Sequence, residues 1–265
     1  MISYFVHLNP VYQALLAGLF TFFITLLGSS LVFFFKSVHK FIMDIFLSLS
    51  AGIMLSASYF SLLNPAIEIA NSFSYITWSV IFFGFFVGGL FLYLSDLLLE
   101  FLFRRSQDQI SKLKRCIMLF GSITFHNIPE GLVLGVSYGS IIYHFQNSSL
   151  LAAIFLTIGI AIQNFPEGCA ISLPLRREGV SPFYSFLFGS LSALVEPFFA
   201  VIGALLVLKV QSLLPIIMSF TAGAMIFVTC MELIPECQNN SKKGLMTLFI
   251  VIGFCIMMIL ELLLS

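Results

Sequence analysis

Apolar residues run through this chain in long blocks, separated by short polar stretches. A membrane-crossing helix takes about 20 consecutive apolar residues. Eight blocks meet that length: Val11–Phe35, Ile42–Leu63, Ile76–Phe101, Cys116–Tyr138, Leu150–Pro174, Phe183–Leu208, Pro215–Ile234 and Gly244–Leu264. The pattern predicts an all-α polytopic membrane protein, a single transmembrane domain over residues 1–265 with no soluble domain. The first residues lack a basic leader and a small-residue cleavage site, so Val11–Phe35 reads as a retained span.

Two blocks carry polar residues at mid-span, where ionised groups cost several kcal/mol unless partnered. The fourth holds His126-Asn127-Ile128-Pro129-Glu130-Gly131 and the fifth Gln163-Asn164-Phe165-Pro166-Glu167-Gly168. Helical residues three and four apart share a face. His126, Asn127 and Glu130 therefore look into one cavity, as do Gln163, Asn164 and Glu167. The prolines cannot donate an N–H, which frees the carbonyls of Phe125 and Ile162 and predicts a bend in each helix. Glu196, in Leu194-Val195-Glu196-Pro197, falls at matching depth in the sixth block. Three carboxylates converging in a dry site repel one another, and a bound cation relieves that repulsion. One imidazole, amide oxygens and carboxylates suit borderline divalent ions such as Zn²⁺, Fe²⁺ or Mn²⁺ better than Cu⁺. Any one of these residues alone is equally an interhelical hydrogen-bonding group; two copies of the hexapeptide with a third glutamate point to metal.

Composition agrees with the block pattern: 60% of residues are hydrophobic and 9% charged, far from soluble usage. Net charge is zero, so only the placement of charges informs. With the N-terminus outside, cytoplasmic loops and span ends carry Lys36, Lys40, Arg104, Arg105, Lys112, Lys114, Arg115, Arg176, Arg177, Lys242 and Lys243, and the other face only Lys209. That bias puts both termini outside the cytoplasm. These charges read as topology determinants and headgroup contacts, not a nucleic-acid patch. Asp44, Asp96 and Glu100 read as interfacial charges, and Glu232 and Glu236 as a candidate exit station for an ion. The five cysteines are scattered without a CxxC and read as packing residues.

Ser48-Leu49-Ser50-Ala51-Gly52-Ile53-Met54 echoes Ser219-Phe220-Thr221-Ala222-Gly223-Ala224-Met225, with Pro65 and Pro235 following at nearly the same spacing. Gly88 to Asp96 matches Gly253 to Glu261 more weakly. The second and seventh spans run oppositely, which predicts an inverted repeat in a 3+2+3 arrangement. Such repeats place a substrate site at the midplane on interrupted helices.

On these motifs the chain resembles the ZIP (Zrt-/Irt-like) family of divalent-metal transporters, in its bacterial form. The resemblance implies one metal site formed by His126, Glu130, Gln163 and Glu167, and a neighbour formed by Asn127, Asn164 and Glu196 with the shared glutamates. It also implies transport into the cytoplasm, elevator-like movement against a scaffold, homodimerisation and residence in the inner membrane. Gln163 stands where many members have His, which weakens the preference for zinc, and Met231 stands where some relatives have His beside the acidic residue matching Glu232. The expected function is transport of a divalent metal, zinc first, then iron, manganese, cadmium or cobalt, with no prosthetic group and no enzyme activity. An intramembrane metallohydrolase and a proton-coupled carrier of an organic solute are the alternatives.

Overall fold

The computed structural model describes residues 5, 7–35, 39–73, 75–104, 111–143, 149–177 and 179–263, and the backbone alone at 102–104, 111–119, 122, 126, 177 and 211. The His126 imidazole and most of the basic residues counted for topology lie outside that description.

Among the described residues regular structure is entirely helical, in eight long helices. They are α1 (Pro10–Ser30), α2 (Lys40–Ser72), α3 (Thr77–Arg104), α4 (Ser111–Ser140), α5 (Leu150–Arg177), α6 (Pro182–Lys209), α7 (Leu214–Gln238) and α8 (Lys243–Leu262). Local chemistry sets the starts of two of them. Pro10 and Pro182 open α1 and α6, with Asn9 and Ser181 as side-chain caps accepting from Val11 N and Tyr184 N. Seven of the eight helices are long and apolar enough to cross a membrane, which makes the chain an integral membrane protein. That count is of the described residues, and helix α4, described by its backbone alone at 111–119, 122 and 126, falls outside it. Its 30 residues carry Lys112, Lys114 and Arg115 near one end and His126, Asn127 and Glu130 further along.

The helices sort into two sets. Helices α1, α4, α5 and α6 pack chiefly on one another, and α2, α3, α7 and α8 do the same. The sets meet where α2 lies on α5 and where α4 lies on α7 and α3. Outward faces carry large apolar groups such as Phe82, Phe83 and Phe86 on α3, all exposed, as a lipid-facing surface requires.

In the second set, two helix pairs are drawn together by glycines in a reciprocal manner. A Cβ at Gly52 would stand 2.0 Å from the Ile250 carbonyl oxygen, and one at Gly253 would stand 2.2 Å from that of Leu49. The α3–α7 pair repeats this: Gly88 against the Phe220 oxygen at 1.8 Å, Gly223 against that of Phe85 at 1.9 Å. Backbone on both sides leaves nothing to yield. We expect Gly223→Val to lower stability by at least about 1–3 kcal/mol, the usual cost of overpacking. Thermal unfolding in detergent checks this, and an unchanged midpoint would mean that the seam is looser than drawn.

The echoed heptapeptides share further detail. Ser48 and Ser219 each donate to the carbonyl four residues back, as do Ser58 and Thr229, which follow Met54 and Met225 by four. A π-helical segment then follows in both helices, at Ser58–Leu63 and Thr229–Leu233. Each precedes a proline, Pro65 or Pro235, whose missing N–H leaves the ladder one bond short.

The two Pro-Glu-Gly motifs do not interrupt their helices. Helices α4 and α5 remain α-helical through Pro129 and Pro166. Each proline removes one bond while the turns on either side keep theirs. The breaks fall instead at the two π segments and at a 3₁₀ turn, Ser192–Leu194, just ahead of Glu196-Pro197 in α6.

Candidate metal site

Most polar residues of the two hexapeptides are enclosed among α1, α4, α5 and α6. Asn127, Glu130, Gln163, Asn164 and Glu196 are all buried, none more than 1% exposed. Glu167 is half-buried. Helices α4 and α6 meet closely here: a Cβ on Gly131 would stand 2.5 Å from the Glu196 carbonyl oxygen. The glycine that ends the first motif is thus what brings Glu130 beside Glu196.

Side-chain bonds orient the polar groups. Gln163 Nε2 donates to Glu130 Oε1 at 2.5 Å. Asn164 Nδ2 lies 2.8 Å from both Glu196 oxygens. The 3₁₀ turn in α6 presents the Ser192 carbonyl to α4, where Asn127 Nδ2 donates to it at 2.9 Å. Carboxylates and carbonyls accept only, so the partner of each amide must be its NH₂ group, and the amide oxygens must face the other way.

Those oxygens have no donor. Asn127 Oδ1, Asn164 Oδ1 and Glu130 Oε2 are buried acceptors without a hydrogen-bond partner. Leaving such a group unmatched costs about 1–3 kcal/mol, and native interiors contain few of them. Three come from the two motifs alone. What they have in common is a need for positive charge. The three glutamates lie within electrostatic reach of one another, so the shortage of positive charge is shared. Among the described residues no three His, Cys, Asp or Glu side chains gather tightly enough to hold an ion by themselves. The oxygen set relies on amides, and the His126 imidazole lies outside the described residues.

Glu167 faces a different space. A cavity of about 680 Å³ between the two sets reaches it from the end of the molecule where α2 begins and α7 ends. Glu232 and Glu236, the candidate exit pair, line the same cavity, together with Lys40, Asp44 and Asn239. Asp44, near the start of α2, is 1% exposed and accepts from Asn240 Nδ2 at 2.5 Å, which ties the start of α2 to the segment after α7.

The sequence reading passed over Thr21, whose hydroxyl donates to Glu196 Oε2 at 2.5 Å. A signal was present. The buried face of α1 is Gln13, Ala14, Ala17, Gly18, Thr21, Thr25, Gly28 and Ser29, a small and polar stripe at helical spacing within an otherwise apolar span.

Residues 104–261, which include both hexapeptides and Glu196, match the Zip family, described as ZIP Zinc transporter. The chain is also 34% identical to the zinc transporter ZIP11 of Xenopus tropicalis, in an alignment covering 96% of this chain and 97% of that protein. The chain belongs to the ZIP family. Other relatives of this ZIP protein include the zinc transporter ZIP11 of Homo sapiens, 33% identical over 96% of this chain and 97% of that one. The zinc transporter ZIPB of Bordetella bronchiseptica is 32% identical over 94% of this chain and 80% of its own length. Animal and bacterial proteins both stand among the relatives. Transport of divalent metal ions is the function this membership carries, and the named relatives are transporters.

Proposed function

We propose that this ZIP protein carries Zn²⁺ into the cytoplasm through the buried oxygen cluster between α4, α5 and α6. The three donorless acceptors carry this reading, because each is corrected by an ion that arrives, binds and leaves. His126, Glu130, Gln163 and Glu167 would form one ion position, and Asn127, Asn164 and Glu196 with the shared glutamates the other. Two amides and a Gln in place of a second imidazole make the set harder, so Fe²⁺, Mn²⁺, Cd²⁺ and Co²⁺ are expected to compete. No prosthetic group enters the proposal.

Helix α4 completes an eight-span bundle in this reading. The echoed pairs α2–α8 and α7–α3 are then related by an inverted repeat, with α4 and α5 at the centre. Lys40 at the start of α2 and Arg176 at the end of α5 support reading that end of the cavity as the cytoplasmic one, which makes the conformation inward-facing in this reading. Movement of α1, α4, α5 and α6 as a body against α2, α3, α7 and α8 would open the other face. Reciprocal glycine seams within both sets (α1–α5 and α4–α6, α2–α8 and α3–α7) support treating each set as one body.

Uptake of radioactive Zn²⁺ into proteoliposomes, with the other four ions as competitors, tests the reading, and absence of uptake would end it. The exit role has its own test. Replacing Glu232 and Glu236 together by Gln is expected to slow uptake severalfold while equilibrium Zn²⁺ affinity in detergent stays within about twofold, since an exit station affects release and not the binding position. Equal losses in affinity and rate would place these residues in the binding site instead.

A further inference from the structure

Thr21 lies on α1, a helix that contributes nothing to either sequence motif, yet it is fully buried against the site. A threonine inside a helix ordinarily satisfies its hydroxyl on a carbonyl three or four residues back. Thr157 and Thr229 do so in this protein, bonding Ala153 O and Met225 O. Thr21 has the same option, with Gly18 O at 3.1 Å, but Glu196 Oε2 lies closer at 2.5 Å. A hydroxyl has one proton, and a carboxylate is the stronger acceptor, so the proton goes to Glu196.

That bond sits at the head of a chain. Glu196 Oε2 takes donors from Thr21 and from Asn164 Nδ2, and Oε1 takes the Asn164 amide alone. Asn164 is thereby committed to show its Oδ1 away from Glu196, and this Oδ1 is one of the donorless acceptors. The terminal torsion of a glutamate is broad and roughly two-fold, so a carboxylate held on one side only can turn. With Thr21 bonded, Glu196 is held from two helices, α1 and α5. Backbone contact fixes α1 in register: a Cβ on Gly18 would stand 2.6 Å from Pro197 Cα, one turn from Thr21.

We propose that Thr21 is a positioning residue that sets the ion preference of the site by fixing the Glu196 carboxylate and, through it, the Asn164 amide oxygen. The proposal rests on the reading of Asn164 as an ion ligand. Fixed oxygens favour the ion whose geometry they match, and a carboxylate free to rotate admits ions with laxer demands. Loss of the Thr21 hydroxyl therefore acts on discrimination and apparent affinity more than on maximal rate.

Thr21→Val keeps the shape and removes the donor, whereas Thr21→Ser keeps the donor. Uptake by the full chain in proteoliposomes is measured for Zn²⁺ and Mn²⁺ separately. Thr21→Val is expected to raise the KM for Zn²⁺ about 10-fold, leave the maximal rate within about twofold and narrow the Zn²⁺ over Mn²⁺ preference. Thr21→Ser is expected to restore the KM to within about threefold of wild type. The double variant Thr21→Val with Glu196→Gln should lose no more than Glu196→Gln alone, because the two act through one carboxylate. Thr21→Ala, which fits the same space, serves where Thr21→Val does not insert. An unchanged KM and preference in Thr21→Val, a Thr21→Ser variant as impaired as Thr21→Val, or additive losses in the double variant would each overturn the assignment. With wild-type uptake intact, any of these leaves the transport reading standing. A wild type that takes up neither ion removes both.

Discussion

Glu130→Gln is expected to abolish Zn²⁺ uptake and, at the same time, to make the metal-free protein more stable. The two effects have one cause. Glu130 Oε2 is buried and accepts from nothing, while Oε1 accepts from Gln163. Glutamine at this position keeps an oxygen for Gln163 and turns the donorless acceptor into an NH₂ group. Asn127 Oδ1, three residues back on the same face and itself without a donor, is the acceptor we expect it to reach. Removing such a mismatch is worth about 1–3 kcal/mol. The ion, however, loses a full charge among its ligands. Outer partners of metal ligands alone account for about 10–100-fold in affinity, so a direct carboxylate should account for at least about 100-fold. Thermal unfolding in detergent separates the effects. Zn²⁺ at a hundred times its dissociation constant stabilises wild type by about 2.7 kcal/mol, and it should leave the variant unmoved. A variant that still takes up Zn²⁺ at the wild-type rate, or whose apo form melts earlier than wild type, contradicts the account of the orphaned oxygens.

The second large effect concerns motion. Gly159 on α5 faces the other helix set, where a Cβ would lie 3.7 Å from Ile53 Cγ2 on α2 and 3.1 Å from the Met257 sulfur on α8. These are side-chain contacts, unlike the backbone contacts within each set. Cysteines at 53 and 159, in a chain otherwise freed of cysteine, should close into a disulfide on oxidation and tie the two sets together. Uptake should then fall at least about 10-fold and return on reduction. Full transport by a population cross-linked in high yield would show that the sets do not slide, and the elevator reading would be lost with the site left intact.

Much of this was readable in the amino acids, and what was not has physical reasons. Apolar block length located every helix to within a few residues, except that α2 continues to Ser72 and α4 begins at Ser111. Extra helical turns beyond the apolar run cost nothing where neighbours or water satisfy the backbone. The motifs placed Asn127, Glu130, Gln163 and Asn164 together because three-and-four spacing is a local property. Glu196 joined them by depth alone, which was enough for a helix known to cross the same slab. Thr21 was not found, since a hydroxyl is inexpensive to bury and leaves no charge for a sequence reading to question. The partner of Asp44 was not legible for another reason: Asn240 comes from a distant part of the chain. The prolines at 129 and 166 sit in helices that stay continuous, while those at 65 and 235 follow breaks. One missing N–H weakens a helix without deciding whether the neighbouring turns hold.

Reciprocal glycine seams run through both halves of the molecule. Besides α2–α8 and α3–α7, a Cβ on Gly28 or Gly168 would meet the Phe165 or Thr25 carbonyl oxygen on α1–α5, and one on Gly135 or Gly203 that of Ala200 or Leu132 on α4–α6. Even a methyl group meets backbone along all four lines, so the seams of neither half admit variation, and the half without the polar cluster can offer little in choosing a cargo. The half built around Glu130 and Glu196 holds its chemistry in side chains that can be exchanged one at a time. Retuning this carrier for another ion is therefore work for α1, α4, α5 and α6, and the companion framework can be kept as it stands.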